Sequence, residues 1–340
     1  MLRLPPFAFH RPERLEDAVG LLAAHPGEAL PMAGGTDLIP NMKHRLFEPA
    51  HLVSLGGIGE LGEVRVGTSE LVLGATVTLA ELHHHAELAR VVPSLAEAAG
   101  LVAGPQIRNR GTVGGNLCLE TRCTYYNQTA FWREALGYCL KKDGDVCHVT
   151  RVGRKCVAAH SADTPPVLMT LGASVDLEGP DGGRTVPVRD FFVPDGIRNT
   201  RRGPDEIVVR VRIPRPDPRT RMAYVKLRQR KSIDFPLLSV AVAGEIEPDG
   251  SVVDLRGVVT ALGSRPRELS GWDDLARGER LTPELIDALA QRAHKQCHPL
   301  ENIIVDPDWR RAMVPVYVRR ALERLDPGSG PERQAVGPAA

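Results

Sequence analysis

The chain has 340 residues, 42% of them hydrophobic and 25% charged, which is ample for a buried core and long for one domain, so two or three are expected. Forty-three basic against forty-two acidic side chains leave a formal net charge of +1, which argues against a nucleic-acid partner recruited by a long-range field. The local basic run at Lys226, Arg228, Arg230 and Lys231 reads as a solvated strand face or a subunit contact.

No apolar run is long enough to span a bilayer, and MLRLPPFAFHRPERLEDA lacks the apolar centre of a secretory signal. A cytoplasmic address is expected, and there disulfides are disfavoured.

Taken in chain order, residues 13–25 read as a helix with Leu15, Val19 and Leu22 on one face. A short strand in EALPMAGG leads into the turn AGGTDL, and DLIPNMKHRLF carries a helical pattern interrupted by Pro40. HLVSL at 51–55 reads as a second strand, completing a β-turn-α-β unit. ELVLGATVTLAEL supplies a strand and a helix, with Thr78 as N-cap and Glu81 at the capping-box position. The His83–His85 run matches no zinc spacing and reads as a solvated helix face. PSLAEAAGLVA (93–103) is a further helix, followed by the glycine-rich turn IRNRGTVGGN.

Beyond residue 157 the pattern turns strand-rich. ASVDLEG and RTVPV form a hairpin around Pro180–Gly183, and DEIVVRVRIP alternates as a strand. IPRPDPRT (213–220) is a linker or an ordered extended connection. Three strands follow, in RMAYVKLRQ, LLSVAVAGEIE and VVDLRGVVTAL, then helices from Pro283 to about Gln296 and from Pro307 to about Leu325. The whole is an α+β chain: subdomains at 1–55 and 56–215, a sheet-plus-helix domain at 216–326, and a polar, disordered tail at 327–340.

Two turns, AGGTDL (33–38) and GTVGGN (111–116), share a design: glycines let backbone N–H groups converge, and a threonine adds a hydroxyl. Such a concavity suits the two phosphates of a dinucleotide. Neither turn is a Walker A loop or a G-x-G-x-x-G fingerprint, and either alone would be weak.

Together with DEIVVRVRIP and AYVKLRQRKSIDFPLLSVAVA (223–243), these turns resemble the FAD-binding subunits of the molybdenum hydroxylases, over most of residues 1–325. The resemblance implies a PCMH-type (vanillyl-alcohol-oxidase-like) fold of two α/β subdomains, plus a C-terminal antiparallel sheet with helices. It implies FAD held by Ala33, Gly34, Gly35, Thr36, Asp37 and Leu38 on one side and Thr112, Gly114, Gly115 and Asn116 on the other. Ile207 and Lys226 match positions near the isoalloxazine ring, where a lysine would stabilise reduced flavin.

Roughly forty residues from about Leu119 to Val157 hold Cys123, Cys139, Cys147 and Cys156 at spacings x15, x7 and x8. An insertion without an apolar period needs something else to organise it, and four thiolates suit zinc or a [4Fe–4S] cluster. Four free buried thiols are the plain alternative. The start of the insertion beside the expected flavin turn favours a redox cluster over zinc. This segment resembles the β subunit of 4-hydroxybenzoyl-CoA reductase, and that resemblance carries the four cysteines over as [4Fe–4S] ligands. Cys118 reads as a small buried hydrophobe, and Cys297 as structural.

No C-x4-C-x2-C pattern and no molybdopterin-binding match occur in the chain. The resemblance therefore implies a small [2Fe–2S] subunit and a large molybdopterin subunit, in an (αβγ)2 complex. Electrons would pass from ferredoxin or a similar low-potential donor through [4Fe–4S] and FAD towards molybdenum, for reductive dehydroxylation of 4-hydroxybenzoyl-CoA to benzoyl-CoA. Two alternatives stand beside it: an oxidative hydroxylase subunit passing electrons outward, and a zinc-stapled scaffold without redox function.

Overall fold

The computed structural model describes residues 2–150 and 153–325, so the tail expected at 327–340 lies outside the described residues. The first sheet is parallel: β1 (Ala8–His10), β2 (Ala29–Met32) and β3 (His51–Ser54) stand in the order β1-β3-β2. Helix α1 (Leu15–Ala24) covers it by burying Leu15, Ala18, Val19 and Leu22, a stripe at helical spacing. The β2–β3 crossover carries α2 (Leu38–Lys43), which runs through Pro40 without the expected break. Pro40 is the third residue of that helix, where an N–H would have no acceptor within it.

The second sheet begins with β4 (Val64–Val66) and β5 (Glu70–Gly74), after which α3 (Leu79–His84) starts at the expected capping box. Thr78 Oγ1 accepts the Glu81 N–H at 3.1 Å, and the Glu81 carboxylate accepts the Thr78 N–H at 2.8 Å. His83 is half-buried, its Nδ1 2.9 Å from the Ala96 carbonyl, and His85 caps the next helix, so only His84 fits the expected solvated face.

Helices α4 (Ala86–Val91), α5 (Pro93–Gly100), α6 (Pro105–Arg108) and α7 (Val113–Leu117) follow. The second glycine-rich stretch is thus partly helical: Thr112 caps α7, and Gly114 and Gly115 lie inside it. After α8 (Ala130–Leu136) and α9 (Thr164–Thr170), β6 (Ser174–Gly179) and β7 (Gly182–Pro187) form the expected hairpin. A short α10 (Val188–Phe191) leads to β8 (Ile207–Pro214), which enters between β5 and β6 to give the order β4-β5-β8-β6-β7. The proline-rich connection after it is ordered, with the Arg215 N–H donating to the Ser69 carbonyl at 2.9 Å.

The third sheet is antiparallel, in the order β12-β11-β10-β9: β9 (Thr220–Leu227), β10 (Leu238–Ile246), β11 (Val252–Thr260) and β12 (Arg267–Glu268). It is followed by α11 (Asp273–Ala276), α12 (Pro283–Gln296) and α13 (Pro307–Glu323). Both its faces are covered, which explains the nearly unbroken burial of β10. Leu238, Val240 and Val242 share a core with Leu289, Ala293, Val314 and Val318 of the helices. Tyr224, Ala241 and Val258 face the other way, into the core of the second sheet and its helices. No helix among the described residues is long and apolar enough to cross a membrane.

Candidate functional site

A cavity of about 300 Å³ opens where the parallel sheet meets the second sheet, within the usual size range of small-molecule pockets. Ala33, Gly34, Gly35, Thr36, Asp37, Leu38, Thr112, Gly114, Gly115, Asn116 and Ile207 all line it. Gly34 explains how two distant turns can meet. A Cβ there would stand 1.7 Å from the Arg110 carbonyl oxygen, so the turns touch backbone to backbone. Gly35 sits at φ +71°, a conformation that favours glycine.

The two turns use their amides differently. Among the described residues, the N–H groups of Gly34, Gly35 and Thr36 donate to no protein acceptor, leaving three donors at a cavity wall. In the second turn the Gly114 N–H is bonded to the Ala75 carbonyl at 2.9 Å, and the Gly115 N–H to Thr112 Oγ1 at 3.1 Å. The second turn therefore shapes the cavity rather than offering those amides. A Cβ on Gly114 would come within 2.8 Å of the Ala75 Cβ, and close packing accounts for that glycine. The Asn116 side-chain oxygen accepts from the Thr164 hydroxyl at 2.7 Å and N–H at 3.1 Å, anchoring α7 to α9.

Lys226 alone of the expected flavin residues does not line the cavity. Its Nζ is buried, 3.0 Å from the Asp163 carboxylate and 3.0 Å from the Leu101 carbonyl. Asp163 does line the cavity and also accepts from the Tyr224 hydroxyl. Burial pushes the Asp163 pKa up and the Lys226 pKa down, each opposed by the partner's charge. Asp163 has no motif around it, so only the fold reveals that it presents this pair to the cavity.

Ile233, Asp234 and Phe235 close another side of the cavity. Ile233 holds φ +75°, a strained conformation for a β-branched residue, while its N–H donates to the Ala103 carbonyl at 3.1 Å. The Arg122 guanidinium stacks over the Phe235 ring at 4.2 Å and approaches Asp37 at 3.5 Å. Burial raises the Asp37 pKa, against the opposing pull of Arg122 and the Glu120 N–H. Cys118, expected as buried packing, is half-buried in the wall of this cavity against the core.

A second, smaller cavity is lined by Cys123, Cys139, Cys147 and Cys156, together with Tyr125, Tyr126 and Lys141. All four thiols are free, and Cys139, Cys147 and Cys156 are buried. Burial pushes Cys123 up to about 11. It also acts to raise Cys147, but hydrogen bonds from Thr150 and from backbone N–H groups outweigh it and hold that thiol below its usual value. The Ala158 N–H points at Cys156 Sγ from 3.4 Å. Cys297 is buried in the C-terminal core, as expected.

The cavities share a wall. Glu120 lines the larger one and forms an ion pair with Lys141, which lines the smaller. Lys141 Nζ also donates to the Gly196 carbonyl at 2.6 Å.

Residues 5–216 match the family described as the FAD binding domain in molybdopterin dehydrogenase, and residues 223–325 the CO dehydrogenase flavoprotein C-terminal domain. The carbon monoxide dehydrogenase medium chain of Hydrogenophaga pseudoflava is 32% identical over 320 residues, 94% of this chain and 96% of that protein. The nicotinate dehydrogenase FAD-subunit of Eubacterium barkeri is 28% identical over 294 residues, 85% of each chain. A solved structure of the Hydrogenophaga pseudoflava carbon monoxide dehydrogenase superposes with a TM-score of 0.78 at 30% identity, covering 95% of this chain and 98% of that one.

Proposed function

This chain belongs to the FAD-binding medium subunits of the molybdenum hydroxylases, oxidoreductase subunits whose molybdenum site is on another chain, and from that premise we propose a second redox group. FAD would occupy the larger cavity. A [4Fe–4S] cluster would be held by Cys123, Cys139, Cys147 and Cys156. The observation that carries the proposal is that all four cysteines line one cavity, which shares the Glu120–Lys141 wall with the flavin cavity.

The residues suit both groups. The free amides of Gly34, Gly35 and Thr36 fit a pyrophosphate, which needs donors and close backbone approach. Four thiols, with N–H groups directed at sulfur, fit a thiolate-held cluster. When bound, FAD exchanges one or two electrons and a [4Fe–4S] centre one at a time. Asp163, fixed by Lys226 and Tyr224, would orient the ring from its side of the cavity.

The partners are a small [2Fe–2S] subunit and a large molybdopterin subunit. Resemblance of residues 118–156 to the 4-hydroxybenzoyl-CoA reductase β subunit supports inward electron flow from ferredoxin or a similar donor, with 4-hydroxybenzoyl-CoA as the substrate of the complex. The carbon monoxide and nicotinate dehydrogenase names of two relatives support the second reading, in which electrons leave molybdenum through FAD.

Anaerobic co-purification with flavin and metal analysis tests the cofactors: FAD with about four irons per chain is expected beyond any small-subunit iron. Zinc in their place would leave the scaffold reading. Assaying the intact complex for donor-driven consumption of 4-hydroxybenzoyl-CoA separates the two directions.

A further inference from the structure

At the amino end of the parallel sheet, away from the AGGTDL turn that follows the carboxyl end of β2, three potential metal ligands meet from two segments, the α1–β2 turn and the start of β3. His25 follows the last turn of α1, Glu28 precedes β2, and His51 opens β3. One donor atom from each lies within 4.8 Å of the others. The backbone fixes this meeting: the His51 N–H donates to the Glu28 carbonyl at 3.1 Å, and the Ala29 N–H to the His25 carbonyl at 3.0 Å.

We propose that His25, Glu28 and His51 form a zinc site that clasps α1 to the parallel sheet. Two imidazoles and one carboxylate are a nitrogen-and-oxygen set that suits Zn²⁺, with water as the fourth ligand. His10 supplies the supporting contact. Its Nε2 lies 2.9 Å from His51 Nδ1, which orients the His51 ring and leaves Nε2 of His51 to face an ion.

The His25 and His51 rings now stack at 3.8 Å with 17° between their planes. Near-parallel rings cannot aim both lone pairs at one ion, so binding turns the His25 ring out of the stack.

The test is zinc analysis of the full-length, cofactor-loaded protein after equilibrium dialysis against Zn²⁺, beside His25→Ala, His51→Ala and Glu28→Gln. Each variant is expected to lose one zinc per chain, or to bind it at least about 10–100-fold more weakly, with flavin and iron contents unchanged. Glu28 is exposed, so Glu28→Gln tests the site even if a histidine variant folds poorly. Cobalt substitution supplies the second readout: bands without thiolate charge transfer are expected. Equal zinc stoichiometry in wild type and all variants, or cobalt bound with thiolate charge transfer only, would overturn the site.

Discussion

Lys141 and Glu120 form an ion pair across the wall between the two cavities, with the lysine side chain only 4% exposed and the glutamate 21%. Lys141 Nζ also reaches the carbonyls of Thr121 and Gly196, so it holds three segments of chain together. Replacing it with methionine leaves a half-buried carboxylate and the Thr121 carbonyl without their donor, while the Gly196 carbonyl keeps the Thr121 hydroxyl. Lys141→Met is expected to cost on the order of 2–3 kcal/mol, below the about 3–5 of a fully buried pair because Glu120 keeps some water. Urea unfolding measures the loss, and an unchanged midpoint would show that the wall does not depend on this contact.

The larger cavity, proposed to hold FAD, depends on close backbone approach at Gly34. Gly34→Ala would place a methyl group 1.7 Å from the Arg110 carbonyl oxygen, so the two turns must separate. Overpacking of this kind costs about 1–3 kcal/mol, and FAD retention is expected to fall sharply. Gly115→Leu should weaken FAD retention through crowding of the cavity, since Thr112 Oγ1 already lies 3.0 Å from the Cβ position. Flavin-to-protein absorbance after gel filtration reads both variants.

Cys139→Ser separates the two proposed cofactors. It is expected to remove the cluster's EPR signal and most of the iron while leaving the flavin bound, because Cys139 lines only the smaller cavity. Wild-type iron content in this variant would exclude Cys139 as a ligand.

His160 gives a pH dependence with a definite sign. It is fully buried, its Nδ1 is 2.8 Å from the Thr260 hydroxyl, and burial pushes its pKa from 6.5 down to about 3. Between those values the unfolded chain binds a proton that the native state refuses. Stability is therefore whole above about pH 6.5 and falls as pH drops towards 3. Between pH 7 and 5 the loss from this group is about 2 kcal/mol. His160→Leu should lose that much less stability than wild type over the interval, as measured by urea unfolding at each pH.

Several features were legible in the sequence because the interactions behind them are local. The Thr78–Glu81 capping box spans three residues, and the α1 stripe spans two turns. The alternation of β8 and the hairpin at Pro180–Gly183 belong to the same class. The two glycine turns carried a functional expectation only as a pair, joined by a resemblance rather than by periodicity. Pro40 misled because proline breaks a helix interior and not a first turn, and the helix start could not be placed to the residue. IRNRGTVGGN reads as an open turn, yet its Thr112 cap makes part of it helical and takes the Gly115 N–H, while the Gly114 N–H is taken by Ala75.

What the sequence determined by itself was a chain of α/β elements followed by an antiparallel sheet with helices, and the presence of two glycine-rich turns and four spaced cysteines, which the structure then gathers at two cavities. Tertiary structure alone decided that Lys226 lies behind Asp163, that Glu120 and Lys141 join the two cavities, and that His25, Glu28 and His51 converge at the far end of the first sheet. The reason is separation along the chain. Caps, turns and amphipathic faces arise from residues a few positions apart. By contrast, Asp163 and Lys226 stand sixty-three positions apart, and their pairing is set by the packing of whole sheets and helices.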